Sequence, residues 1–150
     1  MPNEADVEIE ALESVTPEFL KALHRMIPQL APGTPLPSRE QMEAVIGSSS
    51  NTLLAARVNG KTIGTLTLTM IVTPTGVTGW IADVVVDQLI RGKGIGEKLV
   101  REGIAQAAAK GARYVDLSSR PAREAANRLY LRIGFHKRET NYYRYLLEAK

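Results

Sequence analysis

The chain is 150 residues long, enough for one domain, 1–150, built on a single sizeable core. It has no cysteine, which excludes disulfides, thiolate zinc sites and a cysteine nucleophile, and gives no sign of an oxidising compartment. The net charge of +3 is spread over dispersed basic residues among few aromatics, and no apolar run approaches the roughly 20 residues that cross a bilayer. These features, with an acidic start that lacks an apolar signal region, lead to the expectation of a cytoplasmic protein with neither a nucleic-acid nor a membrane partner.

Residues 7–11 read as a short first strand. Thr16 followed by Pro17 is an N-cap with proline at the first helical position, and Leu20, Leu23 and Ile27 continue that helix. Residues 28–37, with four prolines, read as a loop. Ser38 and Gln41 have capping-box spacing for a short helix through Met42 and Ile46. Two strands, 52–58 and 61–72, flank Asn59-Gly60, a pair that favours a tight hairpin turn because both residues tolerate positive φ. Residues 74–76 turn the chain into an apolar, β-branched run at 81–86, expected to be a central strand buried on both faces. Its one acid, Asp83, flanked by Ile81 and Val85, reads as a buried, hydrogen-bonded structural carboxylate rather than a proton acceptor.

Asp87 and Gln88 end that strand, and Arg91, Gly92, Lys93, Gly94, Ile95 and Gly96 follow. Leu99, Val100, Gly103, Ile104, Ala107 and Ala108 then recur at helical spacing, so the glycines sit at a helix N-terminus. Glycines at alternate positions leave backbone N–H groups unshielded. Together with the helix dipole, Arg91 and Lys93, they make a site for a phosphate or pyrophosphate. The competing reading is a tight strand-to-helix turn whose glycines serve close packing. Two phosphate motifs fail on spacing: a Walker loop needs Ser or Thr where Gly94 follows Lys93, and a dinucleotide fingerprint from Gly92 needs Gly or Ala where Glu97 stands. Further on, 114–118 reads as a strand, and Ala122, Ala125, Ala126, Leu129 and Ile133 pattern a helix with Pro121 at its start. That helix ends in LYLRIGF, with Gly134 read as a left-handed stop and Phe135 opening a last strand pair, 135–137 and 142–147.

Two motifs, in order, carry a resemblance. Arg91, Gly94 and Gly96 fill the places of Q/R-x-x-G-x-G/A after a strand, and Leu129, Tyr130, Gly134 and Phe135 fill L-Y-x-x-x-G-F. From residue 80 to about 147 the chain resembles the GNAT superfamily of acyl-CoA-dependent N-acetyltransferases. The resemblance implies a mixed α/β fold, with a mainly antiparallel sheet of six to seven strands and helices on both faces. It also implies transfer of an acetyl group from acetyl-CoA directly to a primary amine, without a metal.

Carried over position by position, the resemblance gives the Val84 N–H to the acetyl carbonyl as an oxyanion donor, and Val85 and Val86 to strand-like pairing with pantetheine. Arg91, Gly92, Lys93, Gly94, Ile95, Gly96 and the Glu97 N–H are the pyrophosphate binders. Tyr130 matches the family tyrosine that protonates the departing thiolate, which suits a phenol of pKa about 10 facing a thiolate of pKa about 8.5. Arg123 stands where many relatives have an asparagine that contacts pantetheine, and Asn127 lies one helical turn on. Trp80 and Ala82 occupy the places where many relatives carry a glutamate base, which leaves Glu10, Glu13 or a water chain. The missing glutamate favours a second reading, a non-catalytic acyl-CoA-binding sensor. His24 and His136 fall in no motif, and read as a helix-surface and a strand residue. Tyr142, Tyr143 and Tyr145 in the last strand suit a homodimer as well as they suit a core. The segment after the first strand, in the family, lines the acceptor pocket.

Overall fold

The computed structural model describes residues 6–148. The elements run β1 (Glu8–Ala11), α1 (Pro17–Leu30), α2 (Arg39–Gly47), β2 (Asn51–Val58), β3 (Lys61–Thr73), β4 (Gly76–Val86), a 3-10 turn (Gln88–Ile90), α3 (Ile95–Ala109), β5 (Val115–Asp116) and α4 (Glu124–Ile133). The chain divides into two compact units, Met1–Ser118 and Ser119–Lys150. The first holds the sheet with α1 to α3, and the second holds α4.

Local chemistry explains the ends of these elements. Thr16 Oγ1 accepts the Phe19 N–H at 3.1 Å and Ser38 Oγ accepts the Gln41 N–H at 3.0 Å, so each side chain satisfies an amide that the first helical turn leaves unpaired. The Asn59-Gly60 turn has φ of 51° and 76°, the two positive values that match a two-residue turn to the twist of its strands. Helix α1 continues through Pro28 to Leu30, against the expected loop start at 28. Proline forfeits one intrahelical bond, but the last turn closes through the Ala31 N–H on the Ile27 carbonyl at 2.8 Å. The loop itself is tied down by His24, whose Nε2 donates to the Pro37 carbonyl at 2.7 Å.

The sheet order is β1-β2-β3-β4-β5, with β4 and β5 parallel and the other pairs antiparallel. Alternation assigns its faces. Leu53 and Ala55 of β2 pack with Val15, Phe19, Leu23 and Met42, which puts α1 and α2 on one face. Leu54 pairs with Leu66 on the other face, where a Cβ added at Gly103 of α3 would lie 3.3 Å from both Leu66 and Ile81. The close approach of α3 thus needs the missing side chain at 103. Phe19, Met26, Leu54, Leu66, Leu68, Leu99 and Val100 are fully buried, each contributing roughly 1.5–3 kcal/mol of transfer free energy.

The strand count differs from expectation: five strands form among the described residues, against the six to seven implied by the resemblance. Residues 135–137 and 142–147 join no ladder, and Tyr142, Tyr143, Tyr145, Leu146 and Leu147 are 68–88% exposed. Strand propensity is realised only through pairing with another strand, and that is a non-local condition. For the same reason His136 lies in irregular chain, and the strand expected at 114–118 shrinks to Val115–Asp116. Helix α4 starts at Glu124, after a turn that includes Pro121 and Ala122.

Candidate functional site

The first candidate region is the outer edge of β4. Gly79 donates to the Tyr114 carbonyl and Val77 accepts from the Arg113 N–H, and β5 pairs with β4 at Gly79 and Trp80. Beyond Trp80 the two parallel strands part. The register against β3 then slips by one residue: Thr67 faces Ala82 and Thr65 faces Val85, leaving Asp83 and Val84 opposite Leu66 alone. Asp83 has φ of 52°, a left-handed conformation that aspartate tolerates better than most side chains. This bulge reverses the faces of the strand. Ile81 lies against α3, whereas Val85, four residues on, packs with Ala22 and Met26 of α1.

The bulge also decides which backbone groups face β3 and which face away from it. Asp87 donates to the Ile63 carbonyl of β3 at 2.8 Å, so Val85, two residues earlier, also turns its backbone toward β3. Val84 and Val86 therefore turn theirs to the open edge. The Val86 carbonyl accepts from Arg91 Nε at 3.1 Å on that side. Of the three valines expected to meet the donor, Val84 and Val86 offer their main chain to that edge, and Val85 supplies core packing.

The glycine loop follows directly. Gly92 and Gly94 have φ of 84° and 76°, and no atom lies within 4 Å of a Cβ placed on Gly92. For Gly92, close packing is thereby excluded as the reason for glycine; backbone conformation is the reason. Gly94 is the left-handed N-cap of α3 and makes no side-chain capping bond, so the first N–H groups of the helix, at Ile95, Gly96 and Glu97, have no side-chain cap from it. Ile95 is buried and anchors the helix start, while Arg91 and Lys93 are exposed beside it. Glu97 pairs with Arg101 at 3.2 Å, which offsets the negative charge it brings to the first turn. Together these groups can hold a doubly charged anion through backbone donors.

The strand-to-loop junction is held by residues the sequence reading did not single out. Asp87 is 3% exposed and takes the Arg25 Nε–H at 2.8 Å and the Leu89 N–H at 3.2 Å. Burial pushes its carboxyl upward, but the hydrogen bond and charge of Arg25, the Leu89 N–H and Gln29 together hold it below the ordinary value of 3.8. Arg25 also donates to the Thr62 carbonyl at 3.3 Å, and Gln29 Oε1 accepts the Gln88 N–H at 2.8 Å. An arginine on a predicted helix and a glutamine in the loop expected after it carry no motif, so no sequence signal linked them to residue 87.

The second region lies in α4. Phe135 and Gly134 donate to the Tyr130 carbonyl at 3.0 and 3.2 Å, and Gly134 has φ of 123°, so the helix closes in a Schellman-type cap. Tyr130 and Phe135 are the hydrophobic pair that accompanies such a cap, with ring centroids 5.8 Å apart at 68°. Tyr130 is 8% exposed, and burial raises its phenol above the ordinary 10.0, with the charge of Arg123 opposing. Asn127 Nδ2 donates to the Arg120 carbonyl at 3.0 Å, as does the Arg123 N–H, so both residues brace the turn before the helix.

The carboxylates expected as proton acceptors are also located. Asp83 is exposed on the bulge, which corrects the expectation of a buried structural acid; the extra residue in the strand takes it out of the alternation that pointed it inward. Glu10 is paired with Arg57 at 2.8 Å, and Glu13 lies exposed in the bend after β1. No group of acids, histidines and cysteines suited to a metal ion occurs among the described residues.

The fold is a mixed α/β domain in which a glycine loop with Gly92 and Gly94 at positive φ leads into a helix start, after a strand interrupted by a bulge. The chain belongs to the acetyltransferase (GNAT) family, whose sequence model matches residues 17–135. No curated protein matches it. Among solved structures it is similar to an aminoglycoside acetyltransferase, meta-AAC0020, from an uncultured soil metagenomic sample, in complex with trehalose. That likeness has 19% identity, a TM-score of 0.85 and coverage of 97% of this chain and 99% of the other. It is similar to glucosamine-6-phosphate N-acetyltransferase from Arabidopsis thaliana at 20% identity and TM-score 0.74, covering 93% and 97%. A third likeness, at 16% identity and TM-score 0.75 and covering 94% and 99%, is to AAC(6')-Iy in complex with a bisubstrate analog, CoA-S-monomethyl-acetylneamine. At these identities the likeness is one of fold.

Proposed function

We propose that the protein is an N-acetyltransferase that moves an acetyl group from acetyl-CoA directly to a primary amine. The observation that carries this reading is the succession, within residues 84–97, of an open strand edge at Val84 and Val86, a loop with Gly92 and Gly94 at positive φ, and a helix start with no side-chain cap. A CoA thioester has matching parts: an amide-bearing pantetheine for the edge and a pyrophosphate for the helix N-terminus. Family membership and a neighbour bound to a CoA-containing analog support the same donor.

In this mechanism the Val84 N–H donates to the acetyl carbonyl oxygen and stabilises the negative charge it gains when the amine attacks. The carbon–nitrogen bond forms, the carbon–sulfur bond breaks, and the thiolate leaves with a proton. The L-Y-x-x-x-G-F motif assigns that proton to Tyr130, whose phenol burial keeps protonated at neutral pH. The amine must first lose a proton, and Asp83, exposed on the bulge next to Val84, takes it. Arg91 to Glu97 hold the pyrophosphate. Because Trp80 and Ala82 carry no carboxylate, a sensor without turnover is the second reading.

Free-thiol release from acetyl-CoA separates the two. A panel led by aminoglycosides and amino sugars, the acceptor types of similar folds, and extended to polyamines, amino acids and peptides should yield a substrate whose turnover collapses in Tyr130→Phe. Tight acetyl-CoA binding without thiol release on any amine would favour the sensor.

A further inference from the structure

We propose that Arg25 and Gln29 of α1 are positioning residues for the CoA pyrophosphate, holding the entrance of the glycine loop in the shape that aims the α3 amides at it. The inference rests on the donor reading above. The two ends of the loop are secured differently. Its far end enters α3, where Ile95, Leu99 and Val100 are buried in the core. Its near end has little apolar anchorage: Gln88 is exposed, Leu89 is 78% exposed, and nothing surrounds a Cβ on Gly92 within 4 Å.

Polar contacts from α1 supply what packing does not. Arg25 grips Asp87 at 2.8 Å and the Thr62 carbonyl at 3.3 Å, so one guanidinium bridges the last residue before the loop and the start of β3. One helical turn on, Gln29 accepts the first loop amide, at Gln88, at 2.8 Å. Asp87 passes the constraint inward by accepting the Leu89 N–H. The backbone amides of the site, unlike the exposed Arg91 and Lys93 side chains beside them, cannot swing to follow a displaced ligand. Its affinity therefore depends on the exact path of the loop, and small misplacements are expensive. Lysine at 25 would keep a charge near Asp87 but lose the fork that spans two acceptors.

The test compares two ligands that differ in the pyrophosphate. CoA is titrated by calorimetry, and pantetheine, which lacks the nucleotide and both phosphates of the bridge, by NMR shift changes, into wild type, Gln29→Ala and Arg25→Lys. The dissociation constant for CoA should rise about fivefold or more in each variant, the scale of one lost hydrogen bond, while that for pantetheine stays as in wild type and the thermal midpoint is nearly kept. Unchanged CoA affinity in both variants overturns the proposal. So does an equal loss for both ligands, which would mark a general loosening of the unit. Failure of the wild type to bind CoA at all would instead bring down the donor reading, and the proposal with it.

Discussion

Between Val84 and Glu97 the molecule builds with main chain: a bulged strand edge, two glycines at positive φ and a helix start with no side-chain cap from Gly94. Around Tyr130 it builds with one side chain, buried and braced by Phe135 through the cap that ends α4. The contrast is between a proposed donor site that depends on the absence of Cβ atoms and a proposed proton donor that is a single phenol. Substitution should therefore act on them in opposite ways, by obstruction in the first and by removal of a proton in the second.

The largest effect is expected at Gly94. In Gly94→Glu a side chain is forced into a left-handed backbone and an anion is put at the helix start, so acetyl-CoA affinity should fall by about 100-fold or more in calorimetry. Unaltered affinity would show that the backbone site lies elsewhere. At the other region, Tyr130→Phe should lower kcat by about 100-fold while the dissociation constant for acetyl-CoA stays near its wild-type value. A variant that lost binding and rate together would make Tyr130 part of the donor site, and the contrast would fail.

Asp83→Asn should cost roughly 10- to 100-fold in kcat/KM, again with donor binding kept, because the bulge tolerates asparagine at φ of 52°. A fully active variant would assign the amine proton to water or to Glu13. Gly134→Ala probes the cap that presents Tyr130. At φ of 123° any side chain is strained, and a loss of about 1–2 kcal/mol in chemical unfolding is expected, with no direct effect on the donor loop.

The smallest effect concerns acid. The Asp87 carboxyl is held below its ordinary value in the fold, so its contribution to stability is present above the unfolded value of 3.8 and is lost as pH falls through the folded one. Unfolding midpoints in urea should drop with pH on the acid side, with a shallower slope in Arg25→Lys. An unchanged slope would mean that other carboxylates dominate acid unfolding.

Much of this was legible from neighbouring residues. Thr16-Pro17, Ser38 with Gln41 and Asn59-Gly60 each act within a few residues, and each formed the expected cap or turn. Arg91 to Gly96 read correctly as a loop at a helix start for the same reason: φ and helix polarity are local properties. The reading failed where the outcome depended on a distant partner. Flanking Ile81 and Val85 point to a buried Asp83, but the pairing of β3 with β4 sets the bulge that exposes it. Residues 142–147 have the composition of a strand, yet join no ladder, because pairing is not a local property. Pro28 reads as a helix end, whereas the closing bond on Ile27 carries α1 on to Leu30 and Gln29 reaches the Gln88 N–H.

What the amino-acid sequence determined by itself is the set of elements, their caps and the two motifs, because these follow from side-chain volume, backbone freedom and spacing within one or two turns. Tertiary structure alone decided which backbone groups of 84–86 face away from β3, where Asp83 lies, and that Arg25 and Asp87, 62 residues apart, meet at 2.8 Å. Those outcomes depend on register and packing between segments far apart in the chain, for which no local pattern exists.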